Sequence, residues 1–247
     1  MRAAGGTVIT FNGEIYNYLE ILKELLANGV QLRSQGDTAV LAAAIELWGI
    51  ESTLDRIRGM FAFAAWFPAS QELVLVRDPT GKKPLFVVEH GDCLLFVSSI
   101  GPLIRLLRAR GWVAQLDPVA INHALATGWV PAPRTGLRGI EKLPRASMIR
   151  WTPGRGREAS SYWRLPAGQS TQALDESAES LIEQQLVQAV VRRLRSDVPV
   201  ATLLSGGLDS SLVTAVAAGL HPGITAYTVR TRNQNDITAQ FPELQLG

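Results

Sequence analysis

An α+β domain of layered helices and strands, followed by the opening of an α/β unit with a parallel sheet, is the fold class that this sequence predicts. Three observations carry it. Between residues 60 and 97, four short apolar runs alternate with turn residues, and helical patterns flank them. The first of these runs, Met60–Phe67, is apolar on both alternating faces, the pattern of a strand covered from two sides. Further on, an apolar strand, a glycine loop, a helical stretch and a second apolar strand follow one another at the spacing of a βαβ unit.

Taken in order, Val8–Phe11 reads as a strand, and Asn12-Gly13 directly after it is a strong turn signal. Ile15, Leu19, Leu22 and Leu26 form a helical stripe within Glu14–Asn28, closed by Gly29. A second helix starts with Asp37 or Thr38 as N-cap and carries Leu41, Ile45 and Trp48 on one face before Gly49. Met60–Phe67, Leu73–Val76, Leu85–Val88 and Leu94–Val97 are strands. Asp117-Pro118 opens a short helix ending near Gly128. Residues 130–170 are rich in Pro, Gly and Arg, with a linker at 164–172. Ala178, Leu181, Ile182, Leu186 and Val190 mark a long amphipathic helix, and Val198–Leu204 and Ile224–Val229 are the strands on either side of a helix running through Ala218.

The 247 residues suffice for one large domain or two ordinary ones, and 47% hydrophobic against 19% charged residues is a soluble globular profile. A net charge of +2, without a basic run interleaved with aromatics, disfavours nucleic acid as a partner. No apolar run reaches the roughly 18 residues of a membrane span and no signal-peptide pattern opens the chain, so the expected location is cytoplasmic, with no membrane partner. The single cysteine, Cys93, has no partner for an internal disulfide and reads as a small hydrophobe in a buried strand. His90, His123 and His221 are scattered, at no motif spacing.

Two segments carry chemistry. Leu203-Leu204-Ser205-Gly206-Gly207-Leu208-Asp209-Ser210-Ser211 runs from a strand through two glycines into a helix, which leaves bare backbone N–H groups at a helix N-terminus. Such a loop holds phosphate or pyrophosphate, with Ser hydroxyls as added donors and Asp209 placed to hold a magnesium ion. It is not a Walker A loop, since no Gly-Lys-Ser/Thr follows. The alternative is a glycine turn whose Asp209 or Ser210 merely caps the helix. Asn12-Gly13-Glu14-Ile15-Tyr16-Asn17 also has two readings: a hairpin turn, or an amide donor (Asn12) and a bare N–H (Gly13) for the oxyanion of an amide under attack, with Glu14 for an α-ammonium group.

In this order the two motifs resemble asparagine synthetase of the glutamine-hydrolysing kind. Asn12–Asn17 is similar to the glutamine-site motif of class II amidotransferases, and Gln35-Gly36-Asp37-Thr38 to the segment that holds the substrate amine. Arg58–Ala64, Val76–Leu85, Val130–Thr135, Gly139–Pro144 and Tyr162-Trp163 follow further family segments, and Ser205–Ser211 resembles the pyrophosphatase loop. The resemblance implies an αββα Ntn-hydrolase-like glutaminase sandwich over residues 1–165, lacking its N-terminal strand, then the N-terminal part of a Rossmann-like ATP-pyrophosphatase domain over residues 172–247. It implies a two-site enzyme that hydrolyses glutamine and passes ammonia to aspartate activated by ATP, forming asparagine, AMP and pyrophosphate. The implied oxyanion hole is Asn12 and Gly13, with glutamine held by Asn12, Gly13, Glu14 and Asp37. ATP falls to Leu203, Ser205, Gly206, Gly207, Asp209, Ser210 and Val229, and Mg2+ to Asp209. The implied partners are glutamine, ATP and aspartate, and a homodimer at full length.

The departures are specific. The family's nucleophile is a cysteine exposed after the initiator methionine, whereas Met1 is followed here by Arg2. The stretch in hand is therefore expected to be a partial copy, inactive by itself. Position 99 is Ser where the family has Glu, and Thr231–Gly247 does not resemble the family and reads as an unrelated tail. A related amidotransferase acting on another carboxylate, in a polysaccharide, peptide or β-lactam pathway, and a non-catalytic binding protein that keeps the fold are the competing readings.

Overall fold

The computed structural model describes residues 1–32, 34–166 and 176–229. Residues 167–172 of the expected linker and the tail Thr231–Gly247 lie outside them. The chain divides into two compact units, Met1–Ala167 and Gly168–Gly247.

In the first unit, β1 (Val8–Ile15), α1 (Tyr18–Ala27), α2 (Asp37–Arg56), β2 (Gly59–Phe67) and β3 (Glu72–Arg77) are followed by β4 (Phe86–His90), β5 (Cys93–Val97), α3 (Ile100–Ala109), α4 (Pro118–Thr127), β6 (Glu141–Lys142), β7 (Ser147–Thr152) and β8 (Gly156–Ser161). Among the described residues, one sheet has the order β1-β2-β3-β7-β8 and the other β5-β4-β6. All pairings are antiparallel.

The alternation along β2 sets the layers. Phe61, Phe63 and Ala65 pack with Ile21, Leu25, Val40, Leu41 and Ile45 of α1 and α2. Ala62 and Ala64 face the other way, with Leu75, Leu85, Val87, Leu94 and Ile149, in the core between the two sheets. Beyond the second sheet, Leu103 and Leu107 of α3 pack on Val88 and Ile140. The layers are thus α, β, β, α, the sandwich expected, and burial of both sheet faces is what drives it.

Local signals agree with several elements. Asp117 accepts from the N–H groups of Val119 and Ala120, Pro118 stands in the first turn, and Gly128 closes α4 in the left-handed region (φ 77°). Gly29 (φ 77°) ends α1, with Val30 N–H bonded to Leu25 carbonyl at 3.0 Å. Gly49 (φ 79°) interrupts α2, which resumes and runs on to Arg56. The N-cap of α2 is Gly36, and Asp37 and Thr38 lie inside the helix.

Three expectations are corrected. Asn12-Gly13 is not a turn; both residues lie inside β1, opposite Ala62 and Phe61 of β2. The helix expected from Glu14 therefore starts only at Tyr18. Cys93 is exposed, at the first position of β5, not buried within it.

In the second unit α5 (Glu176–Arg193), β9 (Ala201–Leu203), α6 (Leu208–Leu220) and β10 (Thr225–Tyr227) follow. β9 and β10 are parallel, with Leu203 opposite Tyr227, as the βαβ spacing requires. The stripe on α5 is buried only at Val190, while Leu181 and Ile182 are exposed. No described helix is long and apolar enough to cross a membrane.

Candidate functional site

The Asn12–Asn17 segment splits into a half that faces a cavity and an open edge and a half that ties elements together. Asn17 is buried; its amide donates to Arg56 carbonyl at 3.0 Å and its carbonyl oxygen accepts from Arg58 N–H at 2.7 Å. It ties the start of α1 to the end of α2. Asn12, by contrast, makes no side-chain hydrogen bond among the described residues. It lines a cavity of about 300 Å³ between the two sheets with Thr10, Ala62, Phe96, Ser98 and Ser99. A half-buried amide left without a protein partner beside a cavity is available to a ligand.

The edge of β1 is the second feature. Ile9 donates its N–H to Met1 carbonyl (2.8 Å) and Ile15 its N–H to Asp37 Oδ2 (3.3 Å), both away from β2. The period of two aims the N–H groups of Phe11 and Gly13 at the same edge. β1 ends its sheet, so no described strand pairs with them. Asp37, at the start of α2, thus reaches the strand end next to Glu14, which is exposed and has no charged partner among the described residues. The structure brings Asn12, Gly13, Glu14 and Asp37 to one end of one strand. The sequence reading missed Thr10, Ser98 and Ser99 as cavity walls. The signal for Thr10 was present, since a polar residue shares the alternating face of Asn12 and Glu14 in an otherwise apolar strand.

Cys93 and the cavity lie at opposite ends of β5, since Phe96 and Val97 line the cavity and Cys93 pairs with His90 at the β4–β5 turn.

In the second unit Gly206 has φ 89°, a backbone that demands glycine. Gly207 does not: its φ is −73°, and an added Cβ would only touch Ser205 Oγ at 3.6 Å. Its bareness is not needed for folding, which favours clearance for a ligand. Ser205 and Ser210 hydroxyls bond at 2.9 Å, and Ser210 donates to Gly207 carbonyl at 3.0 Å. Neither serine nor Asp209 makes a side-chain cap on α6, while Gly207 N–H donates to Ser205 Oγ at 3.4 Å within the turn. Asp209 is exposed in the first turn, and Leu203 and Val229, both exposed, flank the loop at the C-terminal ends of the parallel strands. That end of a parallel sheet, before a helix N-terminus, is where anionic ligands bind.

The sequence can now be set beside known proteins. The family model described as glutamine amidotransferase domain matches residues 1–163, well over half of the chain. The chain belongs to the glutamine amidotransferase family. The family model of asparagine synthase matches residues 181–245. This corrects the expectation of an unrelated tail, because the match runs through residues 231–245. The putative glutamine-hydrolyzing asparagine synthetase of Mycobacterium tuberculosis is 34% identical over 225 residues, 90% of this chain and 34% of the relative. The glutamine-hydrolyzing asparagine synthetase 3 of Bacillus subtilis is 35% identical over 212 residues, 85% of this chain and 34% of the relative. An amidase, chry2, of Gibberella zeae is 29% identical over 220 residues, 87% of this chain and 31% of the relative. The chain thus spans about a third of the length of the curated relatives it matches. A solved glutamine phosphoribosylpyrophosphate amidotransferase of B. subtilis aligns over 98% of this chain and 52% of its own, at 16% identity and a TM-score of 0.46, a likeness too distant to carry an argument.

Within the first unit the Val76–Leu85 segment proves structural. Asp78, with 0% of its surface exposed, accepts from the N–H groups of Thr80 (3.0 Å), Lys82 (3.0 Å) and Lys83 (2.9 Å) and from Thr80 hydroxyl (2.8 Å). Burial pushes its carboxyl upward, but these donors outweigh it and hold it below the usual range. Arg77 binds the carbonyls of Lys83, Leu143 and Gly81, and Tyr162 hydroxyl donates to Arg77 carbonyl at 2.8 Å. Burial, helped by the Asp78 charge, raises the Tyr162 phenol well above its ordinary value.

Proposed function

We propose that this chain is part of an enzyme that amidates aspartate to asparagine with ATP, using ammonia released from glutamine. The observation that carries the reading is the pairing, in one chain of these families, of an open strand edge with unpartnered amide donors and a βαβ phosphate loop whose second glycine has no folding role. Hydrolysis of glutamine takes up water and gives glutamate and ammonia. ATP and aspartate give the acyl adenylate and pyrophosphate, and ammonia displaces AMP to leave asparagine.

Asn12 amide and Gly13 N–H border the same sheet edge, where they would hold the oxygen of the glutamine side-chain carbonyl as it gains charge. Glu14 and Asp37 would take the α-ammonium group. Beside Asn12 the cavity wall offers the hydroxyls of Thr10, Ser98 and Ser99 but no thiol, and no histidine, lysine or carboxylate to activate them, so this polypeptide by itself is expected to bind glutamine without turning it over. Calorimetry with glutamine tests the binding: Glu14→Gln and Asp37→Asn should each weaken it about tenfold, roughly 1.4 kcal/mol. Unchanged affinity in both variants would remove the amino-acid reading.

For ATP, the N–H groups at the start of α6 and the hydroxyls of Ser205 and Ser210 would hold phosphate, with Leu203 and Val229 against the base. Among the described residues no three acidic, His or Cys side chains gather into a metal cage. A Mg2+ ion held by one carboxylate and the phosphates themselves fits Asp209, and it would neutralise the phosphate charge. Asp209→Ala should abolish the magnesium-dependent part of ATP binding measured by calorimetry. A titration that is the same with and without magnesium in both proteins would refute this role. The likeness to a protein named an amidase keeps one alternative, amide chemistry on a carboxyl group other than that of aspartate. Product analysis with aspartate and other carboxylic acids, on the enzyme at its full natural length, separates the two.

A further inference from the structure

We propose that the first unit carries a second small-molecule site, built from none of the residues Asn12, Gly13, Glu14 and Asp37, that takes a phosphorylated ligand with a planar ring. The site is a cleft of about 500 Å³ lined by His90, Arg110, Trp112, Gln115, Arg138 and Gly139 among others. Every titratable side chain on its wall is basic, and no carboxylate lines it. Residues 100–116, which supply most of one wall, contain Arg105, Arg108 and Arg110 and no Asp or Glu.

Arg110 and Arg138 come from different elements, the end of α3 and the loop before β6, and both are exposed without an ion pair among the described residues. Cations are ordinarily favourable at a helix C-terminus, which accounts for Arg110 alone. It does not account for Arg138 or for His90 at the end of β4. Arg110 and Arg138 line one cleft that holds no carboxylate, and guanidiniums in such a wall are donors that suit a phosphate.

The wall is fixed by backbone bonds. Trp112 N–H reaches Leu107 carbonyl at 3.0 Å, Gly111 N–H reaches Arg108 carbonyl at 3.0 Å, and Arg138 N–H reaches Gln115 carbonyl at 2.8 Å. Leu116 and Leu137 pair in an isolated bridge beside them. Trp112 is half-buried, packed against the cluster of Val88, Leu103, Leu107 and Ile140, and it also lines the cleft. A held indole next to a pair of guanidiniums suits a ligand with a flat ring at one end and phosphate at the other. Gln115 adds an amide that reads hydroxyl or ring groups. A cleft of this size admits a mononucleotide.

The test is a fluorescence titration of the 247-residue chain with AMP, inorganic phosphate and adenosine, the signal being the part lost in Trp112→Phe. AMP should quench saturably, and inorganic phosphate and adenosine should each bind at least tenfold more weakly. The exposed double variant Arg110→Ala/Arg138→Ala, its fold checked by circular dichroism, should lose AMP affinity by at least tenfold. Asp209→Ala should retain it, which separates this cleft from the phosphate loop. No saturable quench up to about 5 mM, equal AMP and phosphate affinities, or unchanged binding in the double variant would each overturn the proposal.

Discussion

Gly13→Ala should unfold the first unit or lower its midpoint by about 10 °C, the effect of roughly 3 kcal/mol in a domain of this size. A Cβ built at Gly13 runs into Met60 carbonyl oxygen and stands 2.7 Å from Phe61 Cα. Both obstacles are backbone atoms of β2, so they yield only if the strands part. Gly59 is the counterpart on β2, since its Cβ would run into Glu14 carbonyl oxygen. Alanine keeps the backbone N–H, so an oxyanion role alone would leave this substitution nearly harmless to folding. Thermal unfolding followed by circular dichroism distinguishes the two. A midpoint within about 2 °C of the parent would show that the close approach of β1 and β2 is not what selects glycine.

Asp78→Asn should cost about 3 kcal/mol at neutral pH, and the loss should shrink in acid. The buried carboxylate accepts from three N–H groups and a hydroxyl, whereas an asparagine turns an NH2 group toward donors. Because the folded carboxyl titrates below the unfolded one, the unfolded chain takes up the extra proton on acidification. Its contribution is full above the unfolded value, about 3.9, and is lost as pH falls through the folded value. Urea unfolding of parent and variant at pH 7 and near pH 3 measures this. A gap that stays the same at both pH values would show that the ionised form is not what the loop is built around.

These two positions also mark how unevenly the sequence reveals the molecule. The Val76–Leu85 segment was recognisable as a family segment, yet nothing in it announced that Arg77 and Asp78 hold their own loop and the ends of β3 and β7 together. That role depends on Leu143 carbonyl, 66 residues further on. α3 was missed although Ser99 stands at its N-cap and Pro102 in its first turn, and Ser99 makes no side-chain cap hydrogen bond there. β8 is exposed along its whole length and has no apolar alternation to betray it. Its place is set by pairing with β7.

Where the physics is local, the sequence by itself determined the outcome: the two-faced strand β2, the Asp117-Pro118 to Gly128 helix α4, and the strand–glycine–helix–strand order of the second unit. In each, side-chain alternation, a cap or a left-handed glycine acts within a few residues. Tertiary structure decided the Asn12-Gly13 segment. Local propensity favours a turn there, but pairing eight residues with β2 and burying Ile9 and Ile15 outweighs it. That same pairing is what turns Asn12 toward a cavity and Gly13 N–H toward an open edge, because a strand separates its side chains and its amides into perpendicular directions and a turn does not.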